Sequence, residues 1–539
     1  MCKKFFSVTI ASFLAATLLC GCGGGNQKNK SEQHLKIYAL EQGYGSDWCK
    51  ETIAAFKQED WVKEKYPKLE IEVVFNDISS FSLDQMNLGS KYNDYDILFG
   101  SRLESFSGRD DVVLDLTDSL YNAKVPGEEV TYKEKLNKDY GSFCAYNDPI
   151  SGKEKYYSAP WMTGIAGFIY NEDALANYKL EVPRTTDEFY NALVTIREAN
   201  KSKYGVDPSA QYGIIQSKDA PYWQMYNGGA LTPWWGQYEG VEGYNDFFNG
   251  IVGGERSIEI FKQQGRLESL KVIEKLLDYK NGFVSPASFN TEFMIAQTSF
   301  LQGSAVFHFN GDYFIDEMKE VKEMLIDRGI KVPVIKMMKT PIISSITKKC
   351  TTIENDEELS ALVKAIDEGS TALKGNGYDV NQKDFDKIFK ARRIVNAALT
   401  SSCVIPAYSK SKNLAVDFLR FMATDAGIKA YCKGASGSSI AFDFDLEKDA
   451  PELYSILEPF QKERISYMCN NDDPVYVLRK FESYPLCSYG GVSPFVNMKY
   501  YTELSSQGKT TTAQKIYDET IEYWTSGLWS TALTKAGLN

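Results

Sequence analysis

Gly508-Lys509-Thr510 ends as a phosphate-binding loop ends, where backbone N–H groups and a lysine cradle a polyphosphate, but Glu503 stands where the first glycine belongs. Asp443-Phe444-Asp445-Leu446-Glu447-Lys448 opens like a calcium loop, yet Lys448 replaces the glycine that makes its sharp turn, which leaves a solvated acidic run. No Gly-x-Ser-x-Gly elbow, no His-Glu-x-x-His and no Cys-x-x-Cys occurs. His34 and His308 are the whole histidine complement of the 539 residues, so a site built from several His ligands is excluded. Two carboxylates suffice for a glycosidase, and an acidic chain supplies them throughout, so hydrolysis stays open on residue types alone.

Charge and ring content narrow the range of partners. Sixty Lys and Arg against 72 Asp and Glu leave a formal charge of −12, the wrong sign for a binder that neutralises phosphates, so no nucleic-acid partner is expected. Thirty-four Tyr, 30 Phe and 8 Trp make 13% of the chain aromatic. Tyr joins an apolar face to a polar tip, which suits a surface that stacks on an amphipathic ligand and also hydrogen-bonds to it. Most of these rings are nonetheless expected in cores.

The elements that would position such residues start with a short buried strand over 35–40 and a helix over 49–60 with Ile53 and Phe56 inward. Alternating strands over 69–75 and 95–100 follow, the latter with Ile97 and Phe99 on one face. Strand, helix, strand and strand in this order predict a right-handed βαβ start to an α/β sheet. Open α/β sheets bind ligands at the carboxyl ends of their strands. Those ends are Glu41-Gln42-Gly43-Tyr44 and Ser101-Arg102, which makes Tyr44 and Arg102 candidate ligand contacts. Thr185 and Glu188 have capping-box spacing ahead of a Phe189, Leu193, Ile196 stripe, a helix start.

Lys3 and Lys4 precede an uncharged run from Phe5 to Leu19, shorter than the roughly 20 apolar residues of a membrane-spanning helix. The pattern is a secretory signal over 1–21. It ends Leu19-Cys20-Gly21-Cys22, which resembles the lipobox of bacterial lipoproteins, so Cys22 is expected to carry a diacylglyceryl anchor; an idle cysteine behind a plain cleaved signal is the alternative. Residues 22–33 have the composition of a flexible tether. Loss of 1–21 removes two lysines and no acid, moving the charge from −12 to −14, so lipid and not headgroup attraction would hold the protein at the bilayer. Of ten cysteines, seven lie beyond Cys22, too scattered for a disulfide framework or a zinc site.

Residues 156–161 lead through Gly164 and Gly167 to Phe168-Ile169-Tyr170-Asn171 and then Pro183-Arg184-Thr185-Thr186-Asp187-Glu188-Phe189. This resembles the second lobe of extracellular solute-binding proteins of the sugar-binding, maltose-binding-protein-like class. Tyr212-Gly213-Ile214, Pro221-Tyr222-Trp223, Gly228-Gly229, a run over 300–307, Asn310-Gly311-Asp312-Tyr313, a run over 413–422 and Thr424-Asp425-Ala426-Gly427 follow in the order of that class. The resemblance covers most of 35–432. It implies an α/β, two-lobe, periplasmic-binding-protein-like (Venus flytrap) fold with discontinuous lobes and three hinge crossings, expected near Trp161, near 336–341 and near 465–471. Residues 34–160 plus 338–465 would form the first lobe, with 351–400 as an insertion decorating it. Residues 161–337 plus 466–539 would form the second.

The resemblance further implies an ABC-importer lipoprotein on the outer face of a Gram-positive cell membrane. Such a protein binds a carbohydrate, most naturally an oligosaccharide, and passes it to permease subunits. It would be a monomer, with no catalytic residues, metal or cofactor. Tyr222 and Trp223 match a ligand-facing loop of the class and Tyr313 sits where the class commonly places a stacking aromatic, with Asp312 beside it; lining the core behind the cleft is the alternative for Tyr222 and Tyr313, and Trp161 on the inferred hinge either stacks on ligand or packs. Trp234 and Trp235 are weaker aromatic candidates. The class often places an acid directly after the Arg102 strand, whereas Leu103 and Glu104 follow here, and His308 between Phe307 and Phe309 reads as a structural histidine. A binder of another solute such as a peptide, or a surface glycosidase, are the alternatives, since fold does not fix ligand.

Overall fold

Among the described residues nine strands form one mixed sheet, and their pairing order shows how two lobes share it. The computed structural model describes residues 32–41, 43, 45–76, 81–92, 94–101, 103–137, 140–141, 144–148, 151–207, 209–218, 232–369, 379–435, 441–468, 475–478, 484–492 and 509–538. The strands are β1 (His34–Leu40), β2 (Glu70–Asn76), β3 (Ile97–Ser101), β4 (Ala159–Asn171), β5 (Tyr212–Ile215), β6 (Ala305–Gly311), β7 (Ile335–Met337), β8 (Ile394–Val404) and β9 (Tyr476–Leu478). They run β2-β1-β3-β8-β4-β6-β5, with β7 beside β4 and β9 beside β8. The helices used below are α1 (Asp47–Phe56), α2 (Thr186–Asn200), α3 (Asp356–Asp367), α4 (Gln382–Arg392), α5 (Lys412–Met422), α6 (Asp425–Gly434) and α7 (Pro459–Met468).

In the first lobe β1 pairs parallel with β2, His34 opposite Glu70, and with β3, Ile37 opposite Ile97. This is the predicted βαβ start. The period of two sorts the side chains: Ile37, Ala39, Ile97 and Phe99 enter a core with α1, α5 and α6, while Tyr38 and Leu98 enter a smaller cluster on the other face with Leu103, Phe106 and Val113. In the second lobe β4 pairs antiparallel with β6, and β6 parallel with β5. Phe168, Tyr170, Phe307 and Phe309 face one core there; Ile165, Ile169 and Ile215 face another.

Two long strands belong to both lobes. The last half of β8 lies between β3 and the first half of β4, with Cys403 opposite Phe99 on one side and Ala159 on the other. Their other halves lie in the second lobe, with Asn396 opposite Ala166 and Leu478. Between these zones the ladder shifts register, from Asn396 opposite Ala166 to Leu399 opposite Gly164.

The extra helices lie on the opposite lobe from the one expected. α3 and α4 bury Leu359, Leu362, Val363, Phe385 and Ile388 in the second-lobe core with Phe189 and Trp234, so 351–392 does not decorate the first lobe. The cause lies at the start of α2. The Thr185 hydroxyl accepts the Glu188 N–H (3.1 Å) as the capping spacing predicts, but it donates to Asp356 at the head of α3 (2.7 Å). Glu188 in turn accepts from the Arg184 N–H (2.7 Å) and from Ser360 of α3, so only half of the capping box forms. Backbone bonds Thr186 N–H to Ile342 O and Ile342 N–H to Arg184 O fasten the approach to α3. The crossing expected near 336–341 is displaced accordingly: β7 pairs with Asn171 through Ile169 inside the second lobe, and the chain returns to the first along β8. Near the expected 465–471 crossing, α7 touches both sides, with Phe460 in a second-lobe cluster and Ile465 in the first-lobe core.

Among the described residues no helix is long and apolar enough to cross a membrane. Cys22 and the signal lie outside the described residues.

Candidate ligand-binding cleft

The carboxyl ends of β1 and β3 in one lobe and of β5 and β6 in the other open toward the space between the lobes. Tyr313, two residues beyond β6, caps the short helix Phe314–Glu317 and reaches across that space. A Cβ built on Gly43, in the loop after β1, would lie 3.3 Å from the Cβ and Cγ of Tyr313. A Cβ on Gly311 would lie 2.0 Å from its Cε1. The ring is thus held by its two edges between glycines of opposite lobes. Gly43 also has φ +71°, a backbone conformation other residues avoid. Two motifs that the sequence left far apart, Glu41-Gln42-Gly43-Tyr44 and Asn310-Gly311-Asp312-Tyr313, therefore meet.

Asp312 does not face open solvent. It is 3% exposed, its N–H donates to Ile165 O (2.9 Å), and a carboxylate oxygen lies 3.6 Å from Nη1 of Arg464 on α7, itself buried. Arg464 carried no sequence signal, being one arginine in a polar helix. Trp161, 4% exposed, packs: its indole stacks on Trp48 with centroids 4.3 Å apart, and Phe99 meets it edge-on at 5.5 Å. The Nε1 atoms of both indoles are buried without an acceptor among the described residues. Trp234 and Trp235 are core residues, their N–H groups donating to Pro341 O and Gln263 Oε1, both at 2.9 Å. Tyr44, Arg102, Tyr222 and Trp223 lie outside the described residues.

Further polar groups lie near the carboxyl ends, of which Ser402 and Gln216 carried no sequence signal. Glu104 accepts a hydrogen bond from the Ser402 hydroxyl of β8 (2.8 Å). Gln216, directly after β5, is fully buried, and neither amide atom has a partner among the described residues. His308 is fully buried, Nδ1 lying 2.8 Å from Ile215 O and Nε2 3.2 Å from Asn310 Nδ2. A carbonyl only accepts, so the proton sits on Nδ1 and Nε2 accepts from the Asn310 amide. Burial pulls its pKa down to about 4, so it is neutral at neutral pH, the structural role expected of it.

Two α/β lobes with strand ends facing across a cleft, joined by strands shared between them, define a two-lobe solute-binding protein. The chain belongs to the bacterial extracellular solute-binding protein family, whose model matches residues 50–429. The fold is similar to that of a protein solved in a study of xylan utilisation by the thermophilic bacterium Caldanaerobius polysaccharolyticus (15% identity, 91% of this chain and 100% of that one, TM-score 0.56). It is also similar to a chitin oligosaccharide binding protein (16%, 93% and 99%, 0.56) and to the GacH receptor of Streptomyces glaucescens, solved unliganded and with acarbose (13%, 92% and 98%, 0.52). No curated protein matches the chain by sequence.

Proposed function

We propose that this protein captures a carbohydrate, an oligosaccharide by preference, between its lobes and delivers it to the permease of an ABC importer without chemical change. The observation that carries the reading is Tyr313, an aromatic ring mounted at the carboxyl end of β6 and reaching the loop after β1. A pyranose offers apolar C–H faces to rings and a belt of hydroxyls to polar side chains, and a cleft that closes on it needs both. Tyr313 and Tyr222, with Trp223, would supply stacking; Tyr44, Arg102 and Asp312 would supply polar contacts, the last through its pairing with Arg464. Trp161 would support the wall from behind, its face being taken by Trp48. The xylan, chitin-oligosaccharide and acarbose systems named for the similar folds support the sugar class. Ligand would stabilise the closed form by binding it more tightly than the open one. Cys22, once acylated, would hold the protein, as a monomer, on the outer face of the membrane of a Gram-positive cell.

Thermal-shift screening of mono- and oligosaccharides tests this. A sugar that raises the melting temperature and is recovered intact supports it; conversion of that sugar to shorter products, or stabilisation by peptides alone, overturns it.

A further inference from the structure

On the β3 side of the cleft the lobes meet at a second point, between a turn of the second lobe and a turn of the first. The turn Pro485–Ser488 is rooted in the second lobe: Leu486 is fully buried in its core, and the Tyr484 hydroxyl donates to Asn245 Oδ1 (2.6 Å). Gly490 lies so close to its neighbours that a Cβ there would sit 2.4 Å from Leu486 O and 2.8 Å from Ala532 O. The residue between, Tyr489, is therefore rigidly mounted, yet 54% exposed and aimed outward. Its hydroxyl donates to Ser105 O at 2.9 Å. Ser105 belongs to the turn Leu103–Phe106, whose Leu103 and Phe106 are buried in a first-lobe cluster. Burial raises the pKa of the Tyr489 phenol above its ordinary value, so it remains a donor at neutral pH.

We propose that Tyr489 is a closure latch, a hydrogen bond between the lobes that exists only while they face each other and does not depend on what the cleft holds. This rests on the capture reading for its biological use but not for its test. A neutral hydrogen bond contributes about 0.5–1.5 kcal/mol net, so the latch favours closure by about two- to twelvefold. Apparent affinity scales with the fraction of protein in the competent form. Losing the latch therefore weakens every ligand by one common factor and leaves the ratios between ligands unchanged, whereas losing a ligand contact changes those ratios.

Tyr489→Phe removes the hydroxyl and keeps the ring. The full chain, with Cys2, Cys20, Cys22, Cys350, Cys469 and Cys487 changed to Ser, is spin-labelled at Lys68→Cys and Glu255→Cys, on exposed sites of the two lobes, and the distance distribution is measured without ligand. The unliganded parent is expected to show a short-distance population that Tyr489→Phe lowers two- to tenfold, with melting temperatures alike. Indistinguishable distributions overturn the latch, as does a change in the affinity ratio of two bound sugars. Should no sugar bind while the distances still shift, the sugar reading fails and the latch stands.

Discussion

Gly311→Ala puts the clamp on Tyr313 to a quantitative test. The new Cβ would stand 2.0 Å from Cε1, 2.6 Å from Cδ1 and 2.7 Å from Cζ of the ring. Touching carbons sit about 3.5 Å apart, so the ring must retreat by about 1.5 Å. Gly311 ends strand β6 without a positive φ, so the backbone itself gains no strain from alanine. With the lobes apart, the ring can swing away. With them together it cannot, because its Cδ2 edge already lies against Gly43, 3.5 Å from where a Cβ would stand there. The penalty therefore falls on the closed form, at the scale of overpacking, about 1–3 kcal/mol. At about 1.4 kcal/mol per decade, affinity should fall by about 5- to 150-fold. Titration calorimetry on the sugar identified by screening gives this value in four proteins: the parent, Gly311→Ala, Tyr313→Ala and the double variant. In the Tyr313→Ala background the methyl meets no ring, so Gly311→Ala should be nearly neutral and the coupling should equal the penalty. An equal loss in both backgrounds would refute the clamp and place the damage in β6; no loss in the parent would refute the geometry.

Two further outcomes follow from buried polar groups. His308 takes up its proton near pH 4 when folded and near the ordinary histidine value of 6.5 when unfolded, so protons favour unfolding between these values; its contribution is intact above about pH 6.5 and about 3 kcal/mol is lost on acidification to pH 4. Urea denaturation across this window should show a shallower decline for His308→Gln, and parallel curves would sink the assignment. Gln216→Met swaps an unpartnered, fully buried amide for an apolar group of like shape and should stabilise the protein by about 1 kcal/mol; destabilisation would reveal a partner for that amide.

Much of the sheet was legible because period-two burial is a local signal: Ile37, Ala39, Ile97 and Phe99 alternate with polar or differently directed neighbours and enter one core. The start of α2 was legible for the same reason, since Thr185 and Glu188 are neighbours in sequence. Residues 351–400 read as an insertion, but the apolar faces that α3 and α4 bury, Leu359 and Phe385 among them, do not name the surface they pack against. That choice was made by Asp356 and Ser360 reaching Thr185 and Glu188, about 170 residues away, which no local pattern records. The site suffered likewise. Tyr313 was singled out by the family resemblance, but its clamp needs Gly43, and the surroundings of Trp161 and Asp312 turn on Trp48 and Arg464. Each partner is remote in the chain and ordinary in composition.

The register shift between Asn396 and Leu399 has a mechanical meaning. On either side of it β4 and β8 are stiffened by neighbouring strands, β3 in one direction and β6 in the other, and a sheet several strands wide resists torsion. At the shift they form a ribbon two strands wide, and such ribbons tolerate the widest range of twist. Rotation of one lobe against the other is thereby converted into torsion of a short shaft, and α3 and α4, fastened to α2, turn as ballast with the second lobe alone.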